Sequence, residues 1–324
     1  MDHDETTDEL HGLPAFDFPA RRDGARELPG PETVAWRISH DPYRASGDSD
    51  PDIDIAARFQ RFLDTVDTAR VRALIFGIWG AAYEDDSSVV IEPLVAAKDR
   101  FPALEAVFIG DIEAEQSEIS WIEQSDVARV LDAFPGLREL KIRGGTKLQF
   151  PAVKHERLHT LRFESGGLPG EVVRGVCDSE LPALERLEMW LGVEEYGGDS
   201  TVADLAGLLS GGRFPALRHL GLQNSEIQDE IATAVAAAPI VAQLASLNLS
   251  MGILTDAGAE ALLEGQPLTH LKTLDLNHNF FSEAMEQRLR DALEPSGVRL
   301  DLSEKGDEDD DGEGEVWRYT AVAE

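Results

Sequence analysis

The chain repeats one short pattern of apolar positions: a leucine, two residues, an aliphatic residue, one residue and a second aliphatic residue. Residues 101–109, Phe-Pro-Ala-Leu-Glu-Ala-Val-Phe-Ile, form one clear copy. The first leucines of the clear copies are Leu104, Leu137, Leu158, Leu184, Leu217, Leu244 and Leu271, spaced by 33, 21, 26, 33, 27 and 27 residues. Because the aliphatic positions alternate with other residues, each copy predicts a short strand that is buried on one side. A unit that recurs in this way is typical of a repeat protein.

Weaker copies and intervening helices complete the repeating unit. The weaker copies bring the array to nine or ten units and lie at 33–38, 71–76 and 297–302. Amphipathic stretches between the strands predict helices, for example at 53–63, 202–209, 231–237 and 285–293. Strands that are joined through helices by right-handed crossovers form a parallel sheet. Since helices are wider than strands, stacking bends the array, and we predict an α/β solenoid: a horseshoe with a parallel concave sheet and helices on its convex side.

The stacked units predict one continuous domain between two terminal segments. We assign an N-terminal capping segment to 1–30, the solenoid to 31–303 and an acidic tail to 304–324. Within the tail the apolar, strand-forming stretch 316–322 is expected to fold back onto the solenoid. There it would cover the exposed edge of the sheet, as 13–18 would at the other end.

Two short stretches depart from the repeat. The connector 144–154 contains Pro151 and belongs to a short unit, so it predicts extended or turn structure, with a local change in curvature, instead of a helix. The acidic run 307–311 is expected to be solvated and mobile. The alternative is that this acidic run attracts and binds a basic partner.

The units resemble the ribonuclease-inhibitor-like class of leucine-rich repeats, whose units of about 28 residues carry helices. The resemblance covers residues 31–303, although the asparagine that often follows the strand pattern is present only in some units, as Asn224 and Asn279. The whole chain is also similar to a bacterial leucine-rich-repeat family without an established activity, through the segments 11–19, 119–126, 162–168, 191–199 and 316–319. Members of that family tend to be encoded near ATP-grasp and radical-SAM enzymes. The resemblance implies a partner-binding role and transfers no catalytic residue.

The charge of the chain narrows the choice of partner. The formal net charge is −33, and residues 304–315 hold eight of the acids. Such a surface would repel nucleic acids and anionic membranes, so we expect neither as a partner. A protein or peptide with a basic patch is the natural electrostatic match. The alternative is that the charge serves solubility alone.

Cysteine usage and the apolar runs indicate the compartment. Cys177 is the single cysteine, so no disulfide can form within the chain. It lies in a helix-like stretch, where it is expected to be a small core residue and not a nucleophile. The acidic start does not resemble a secretory signal, and no run approaches the roughly 18 apolar residues of a membrane helix. We therefore expect a cytoplasmic protein.

Two motifs resemble metal sites. Residues 155–159, His-Glu-Arg-Leu-His, match the H-E-x-x-H zinc motif, which requires a helix to bring both histidines to one face. Here Leu158 is the first leucine of a repeat, so we interpret the match as a coincidence. The acids of 48–54 alternate as in a calcium loop, but Ile53 and Phe59 occupy the positions that require glycine and glutamate. We expect no metal, no cofactor and no catalytic residue.

The concave face is the predicted partner surface. The central residue of each strand, and the residue two positions later, should point into it. In the middle three units these are Lys141, Arg143, Arg162, Glu164, Glu188 and Trp190. Cations are scarce in this chain, and arginine and aromatic residues often anchor interfaces, so we predict that this group binds a partner. Tyr196, in a glycine-rich loop that follows the strand pattern, joins the prediction. The alternative is a set of cross-strand salt bridges without a ligand.

Three functions are compatible with these features. The favoured one is a non-catalytic scaffold that holds a protein or peptide partner on the concave face and the strand-end loops. The second is a small-molecule binder or enzyme that uses carboxylates such as Glu164 and Glu188. The third is a structural accessory subunit of a neighbouring enzyme. A deep pocket with a raised carboxylate pKa would favour the second function, and an open concave surface would favour the first.

Overall fold

The computed structural model describes residues 6–19, 27–41, 54–310 and 316–324. Its main feature is a 12-stranded sheet in which the strands follow one another in the order of the chain. The strands are β1 Glu9–Leu10, β2 Leu13–Asp17, β3 Ala35–Ile38, β4 Ala73–Phe76, β5 Ala106–Ile109, β6 Glu139–Arg143, β7 Thr160–Glu164, β8 Arg186–Gly192, β9 His219–Ser225, β10 Ser246–Asn248, β11 Thr273–Asp275 and β12 Arg299–Asp301. A separate two-stranded hairpin consists of β13 Glu308–Asp310 and β14 Val316–Arg318.

The repeat pattern determines the register of the sheet. β1 pairs with β2 antiparallel, whereas β2 to β12 are parallel to their neighbours. Leu140 of β6 lies between Val107 of β5 and Leu161 of β7, and all three side chains are fully buried. The three weaker copies of the pattern are strands β3, β4 and β12, which confirms that they belong to the array.

Helices connect the strands on the other side of the sheet. They are α1 Ile55–Thr65, α2 Ser88–Ala96, α3 Ala128–Ala133, α4 Gly170–Asp178, α5 Ala206–Leu209, α6 Gln228–Ala236, α7 Asp256–Glu264 and α8 Glu283–Leu293. The predicted helix at 202–209 is divided into a 3-10 turn, Val202–Leu205, and the short α5. Neighbouring helices pack on one another from α1 to α3 and from α6 to α8. The fold is the predicted α/β leucine-rich-repeat solenoid.

Polar caps and an apolar face explain why these helices form where they do. Asp54 precedes α1, and its Oδ1 accepts a hydrogen bond from the Ala57 amide at 2.7 Å. The same helix buries Phe59 and Phe62 against the sheet, where Phe62 lies edge-on to Trp36 of β3 at 5.5 Å. This packing continues as one apolar core between sheet and helices along the length of the array.

The short unit has no helix between residues 144 and 159, which confirms the extended or turn structure expected of this connector, while the local change in curvature stays a prediction. Isolated bridges replace it, for example between Gln149 and Asp126. The extended chain lets α4 approach closely, because a Cβ at Gly175 would lie 1.8 Å from the Phe150 carbonyl oxygen.

The acidic run differs from the expectation of a mobile tail. Residues 308–310 form β13, in which Asp309 pairs with Trp317 of β14. Arg318 Nε donates to Glu308 Oε2 at 3.3 Å, and the Tyr319 hydroxyl donates to Asp309 Oδ2 at 3.2 Å. The strand forms because the stretch after it supplies a β-forming partner and a cation. The boundaries of the terminal segments stay a prediction.

Candidate functional site

The concave face has three zones, and the chain itself covers the first, which is formed by β3, β4 and β5. Ile75 and Phe108 at the strand centres are fully buried, in a cluster that includes Leu10. Arg37 Nε donates to Asp111 Oδ2 at 2.8 Å, and the Thr7 amide donates to Asp111 Oδ1 at 2.9 Å. Burial raises the pKa of Asp111, although the nearby Arg37 charge opposes this. The segment before β2 therefore closes this zone to a partner.

The second zone, formed by β6, β7 and β8, is an ion-pair network. Glu164 lies at its centre, and its carboxylate oxygens form ion pairs with three cations: Lys141 at 2.9 Å, Arg143 at 2.8 Å and Arg162 at 2.8 Å. Arg162 also pairs with Glu188 at 3.0 Å. β6, β7 and β8 pair in register at these positions. In each strand the central residue and the residue two positions later point to the same face, so they meet the equivalent side chains of the neighbouring strands.

Outer residues extend the network. The Lys141 ammonium lies 4.2 Å from the centre of the Phe108 ring, and the Arg162 guanidinium lies 5.5 Å from that of Trp190. Glu188 has two further partners at 2.9 Å, Arg186 and His219. The structure thus brings together the six residues that were predicted for the middle units: Lys141, Arg143, Arg162, Glu164, Glu188 and Trp190.

The network keeps its carboxylates ionised. Burial alone would raise the pKa of Glu164, but the charges of Arg162, Lys141 and Arg143 outweigh it and hold the pKa at about 2. Burial opposes the same shift at Glu188, where the hydrogen bond from His219 and the Arg162 charge hold the pKa at about 2. A general acid or base at neutral pH needs a pKa near 7. The pKa values of Glu164 and Glu188 therefore do not support the acid–base role of the second hypothesis.

Trp190 and Tyr196 both contact the end of the chain. Trp190 is 3% exposed and packs with Ile119 and Val322. Tyr196 lies outside the network, in the loop after β8, and its hydroxyl donates to Glu324 Oε1. That hydrogen bond raises the pKa of Tyr196 to about 12. From the sequence we placed Trp190 on the concave face and Tyr196 in the loop after its strand, without the C-terminal neighbour that the two residues share.

This neighbour is the return segment, residues 319–324, which runs across the carboxyl ends of β11 to β8. The Ala321 amide donates to the Met251 carbonyl at 2.8 Å, and the Val322 amide donates to Asn224 Oδ1 at 3.0 Å. From the sequence we expected 316–322 to cover the last strand of the sheet, whereas 316–318 pair with β13 and the residues that follow lie over the strand ends. Asn224, noted in the sequence only as a repeat asparagine, is their main anchor.

The third zone, around β10, β11 and β12, is open and acidic. Asn248, Asp275 and Asp301 lie side by side in register and border a hollow of about 230 Å³ together with His219 and Arg299. Asn248 Nδ2 donates to Asp275 Oδ2 at 3.1 Å. Burial raises the pKa of Asp275, and the neighbouring Asp301 charge adds to the effect. A cation placed between these two carboxylates would relieve that repulsion.

The sequence motifs adopt ordinary structural roles. His155 Nε2 lies 3.1 Å from the Phe134 carbonyl oxygen and is buried, while His159 directly precedes β7, so the two histidines do not share a helix. Cys177 is buried in α4, and burial raises the pKa of its thiol to about 11, which confirms it as a core residue. Apart from Asp54, the calcium-like stretch 48–54 lies outside the described residues.

The described ranges hold neither a metal-binding cluster nor a membrane-spanning helix. No group of three or more histidine, cysteine, aspartate or glutamate side chains there is arranged to hold a metal ion. No helix in the same ranges is both long and apolar enough to cross a bilayer.

Comparison with known proteins identifies the family. No protein-family model matches the chain, and no curated protein matches it. A crystal structure of a protein from Bacteroides fragilis, solved by a structural genomics consortium, superposes with a TM-score of 0.75 at 31% sequence identity. The match covers 88% of this chain and 77% of that chain. This chain belongs to the same leucine-rich-repeat family as the Bacteroides protein.

Two other solved structures resemble this leucine-rich-repeat protein only distantly. An internalin of Listeria monocytogenes has a TM-score of 0.34 and 13% identity, over 73% of this chain and 75% of that chain. The TLR13–ssRNA13 complex has a TM-score of 0.36 and 14% identity, over 75% of this chain and 34% of that chain. Both scores are too low to transfer any property.

Proposed function

We propose that this protein is a non-catalytic scaffold whose concave face holds a protein or peptide partner, and that this partner carries a basic patch. The observation that carries the proposal is the open third zone, where Asp275 and Asp301 border the hollow. The first zone is covered by the chain and the second is internally paired, whereas in the third the carboxylates of Asp275 and Asp301 border open space beside His219 and Arg299. We further propose a cytoplasmic location, on the strength of the cysteine usage.

The central network contributes to the proposed face mainly as support. Lys141 and Arg162 keep 11% and 18% of their side-chain surfaces exposed, and we retain them, with Tyr196, as partner contacts. Arg143, Glu164, Glu188 and Trp190 are buried beneath them and fix their positions. Such preorganisation lowers the entropy that is lost when a partner binds.

The experiment is affinity capture from cells of the source organism, with the wild type compared with Asp301→Arg. Asp301 is exposed, so the change reverses a charge in the hollow without disturbing the core. Like charges across an interface oppose association, and we expect capture of the partner to fall about tenfold, or about 1.4 kcal/mol. Capture by the wild type should also weaken as salt is raised, because exposed charges are screened.

The matched control is Glu264→Arg, an equal change in charge on the exposed surface of α7. It should capture as much partner as the wild type. Equal losses in both variants would assign the effect to net charge and contradict a concave site, as would a wild type that captures nothing specific at low salt.

A further inference from the structure

The return segment lies in a groove at the carboxyl ends of the strands. We propose that this groove binds an extended peptide by its backbone together with one small aliphatic side chain, and that residues 319–324 occupy it in cis. The inference deepens the proposed function, since it gives the strand-end edge a ligand class of its own. Its test uses a defined peptide and does not depend on the partner of the concave face.

One buried side chain forms hydrogen bonds with the backbone of the bound segment. Asn224 Oδ1 accepts from the Val322 amide at 3.0 Å, and Asn224 Nδ2 donates to the Val322 carbonyl oxygen at 2.6 Å. Asn224 has no exposed surface, and its φ of +56° lies in the left-handed region, which asparagine tolerates better than most residues. The carboxamide thus pairs with both the backbone N–H and the backbone C=O of one residue, as a neighbouring β-strand would. These contacts do not depend on the side chain of the bound residue.

Further contacts hold the residues on either side. The Ala321 amide donates to the Met251 carbonyl, and the Ser120 hydroxyl donates to the Ala323 carbonyl. A Cβ at Gly166 would lie 1.9 Å from the Ala323 carbonyl oxygen, so the floor of the groove requires a glycine there. The groove therefore holds the backbone of three consecutive residues, 321 to 323.

Side-chain selection takes place at one position. Val322 is 2% exposed and packs between Ile119 and Trp190, while Ala321 and Ala323 are partly exposed. The matching ligand is an extended peptide with a valine-sized side chain between two small residues. Without such a ligand Ile119 and Trp190 would be open to water, which explains why the chain fills the site itself.

Outside this core the occupant is held mainly by polar contacts, such as the hydrogen bond from the Tyr196 hydroxyl to Glu324. Glu324 is exposed, and the preceding Val316, Trp317 and Tyr319 are 44%, 58% and 49% exposed. Segments with few buried apolar contacts open at a small fraction of the global unfolding free energy. A tethered ligand nevertheless has an effective concentration in the millimolar range, so a peptide in trans binds well only when the cis contact is weakened.

The test measures fluorescence anisotropy of a labelled peptide of residues 319–324 with both ends blocked, titrated with full-length protein. Val322→Asp places a charge in the apolar pocket and should release the return segment. We expect this variant to bind the peptide at least tenfold more tightly than the wild type does. Adding Asn224→Gly, which suits the positive φ, should abolish binding.

Controls separate the groove from general effects. Val316→Asp is the same change on an exposed residue of β14 and should bind no more peptide than the wild type. Ala321→Pro, which removes the amide that donates to Met251, is a second releasing variant should Val322→Asp fail to fold by circular dichroism. A folded releasing variant that does not bind the peptide would overturn the proposal. So would a wild type that binds as tightly as the releasing variants, or a peptide with aspartate at the valine position that binds equally well.

Discussion

Glu164 forms ion pairs with three cations on the concave sheet of an otherwise strongly acidic protein. Its side chain is 1% exposed, and Lys141, Arg143 and Arg162 all lie within 2.9 Å of its oxygens. The sequence could predict that these side chains meet, because parallel register aligns equivalent positions of successive repeats. It left internal pairing open as the alternative to partner binding, because the burial that decides between them depends on the network as a whole and on the distant return segment over Trp190.

Glu164→Gln tests the importance of this carboxylate. The change leaves three largely buried cations short of a counter-charge, and we expect it to lower the free energy of unfolding by about 3–5 kcal/mol in urea titrations at pH 7. Glu260→Gln, which breaks an exposed pair with Arg288, should leave stability close to that of the wild type. Equal effects of the two changes would contradict the assigned role.

The same group predicts a pH dependence. The pKa of Glu164 is about 2 in the folded protein, against an ordinary value of 4.5. A depressed folded pKa stabilises the fold above the unfolded value, and this contribution is lost as the pH falls from about 4.5 towards 2. Unfolding free energies measured across that window should therefore fall more steeply for the wild type than for Glu164→Gln, and parallel slopes would show that Glu164 does not titrate in this way.

At the scale of elements, local patterns predicted the strands well and the long-range contacts poorly. The copies around Leu140 and Leu161 became neighbouring strands because alternation is a property of a few consecutive residues. The helix-free connector followed from Pro151 and the short spacing. The return segment was only partly predictable, since Val322 contacts Asn224, a residue that is 98 positions away and whose place in the repeat gives no sign of this contact.

The close approach of α4 to the connector gives a prediction for Gly175. Alanine normally stabilises a helix by about 1 kcal/mol relative to glycine. Here the added methyl group would meet the Phe150 carbonyl oxygen, so Gly175→Ala should instead lower the free energy of unfolding by about 1–3 kcal/mol. Gly212→Ala, where no atom lies within 4 Å of the new Cβ, should be near neutral in the same chemical denaturation experiment. A stabilised Gly175→Ala variant would show that the connector moves aside easily.

At the scale of the whole molecule, the net charge of −33 acts against the compact state. Self-repulsion of like charges is screened by salt, so the melting temperature should rise between 10 and 150 mM NaCl. A gain of about 1 kcal/mol would correspond to roughly 2 °C for a chain of this size. Calorimetry that showed a fall in melting temperature would mean that screening of the ion pairs outweighs relief of the repulsion.

Carboxylate footprinting of the protein with its captured partner tests the central claim most directly. The labelling rates of Asp275 and Asp301 in the open zone would be compared with those of Glu260 and Glu264 on α7, with and without the partner. The proposed function predicts that the partner protects the two aspartates severalfold and leaves the two glutamates unchanged. Protection of the α7 glutamates, with both aspartates labelled as fast as in the free protein, would contradict a concave binding face.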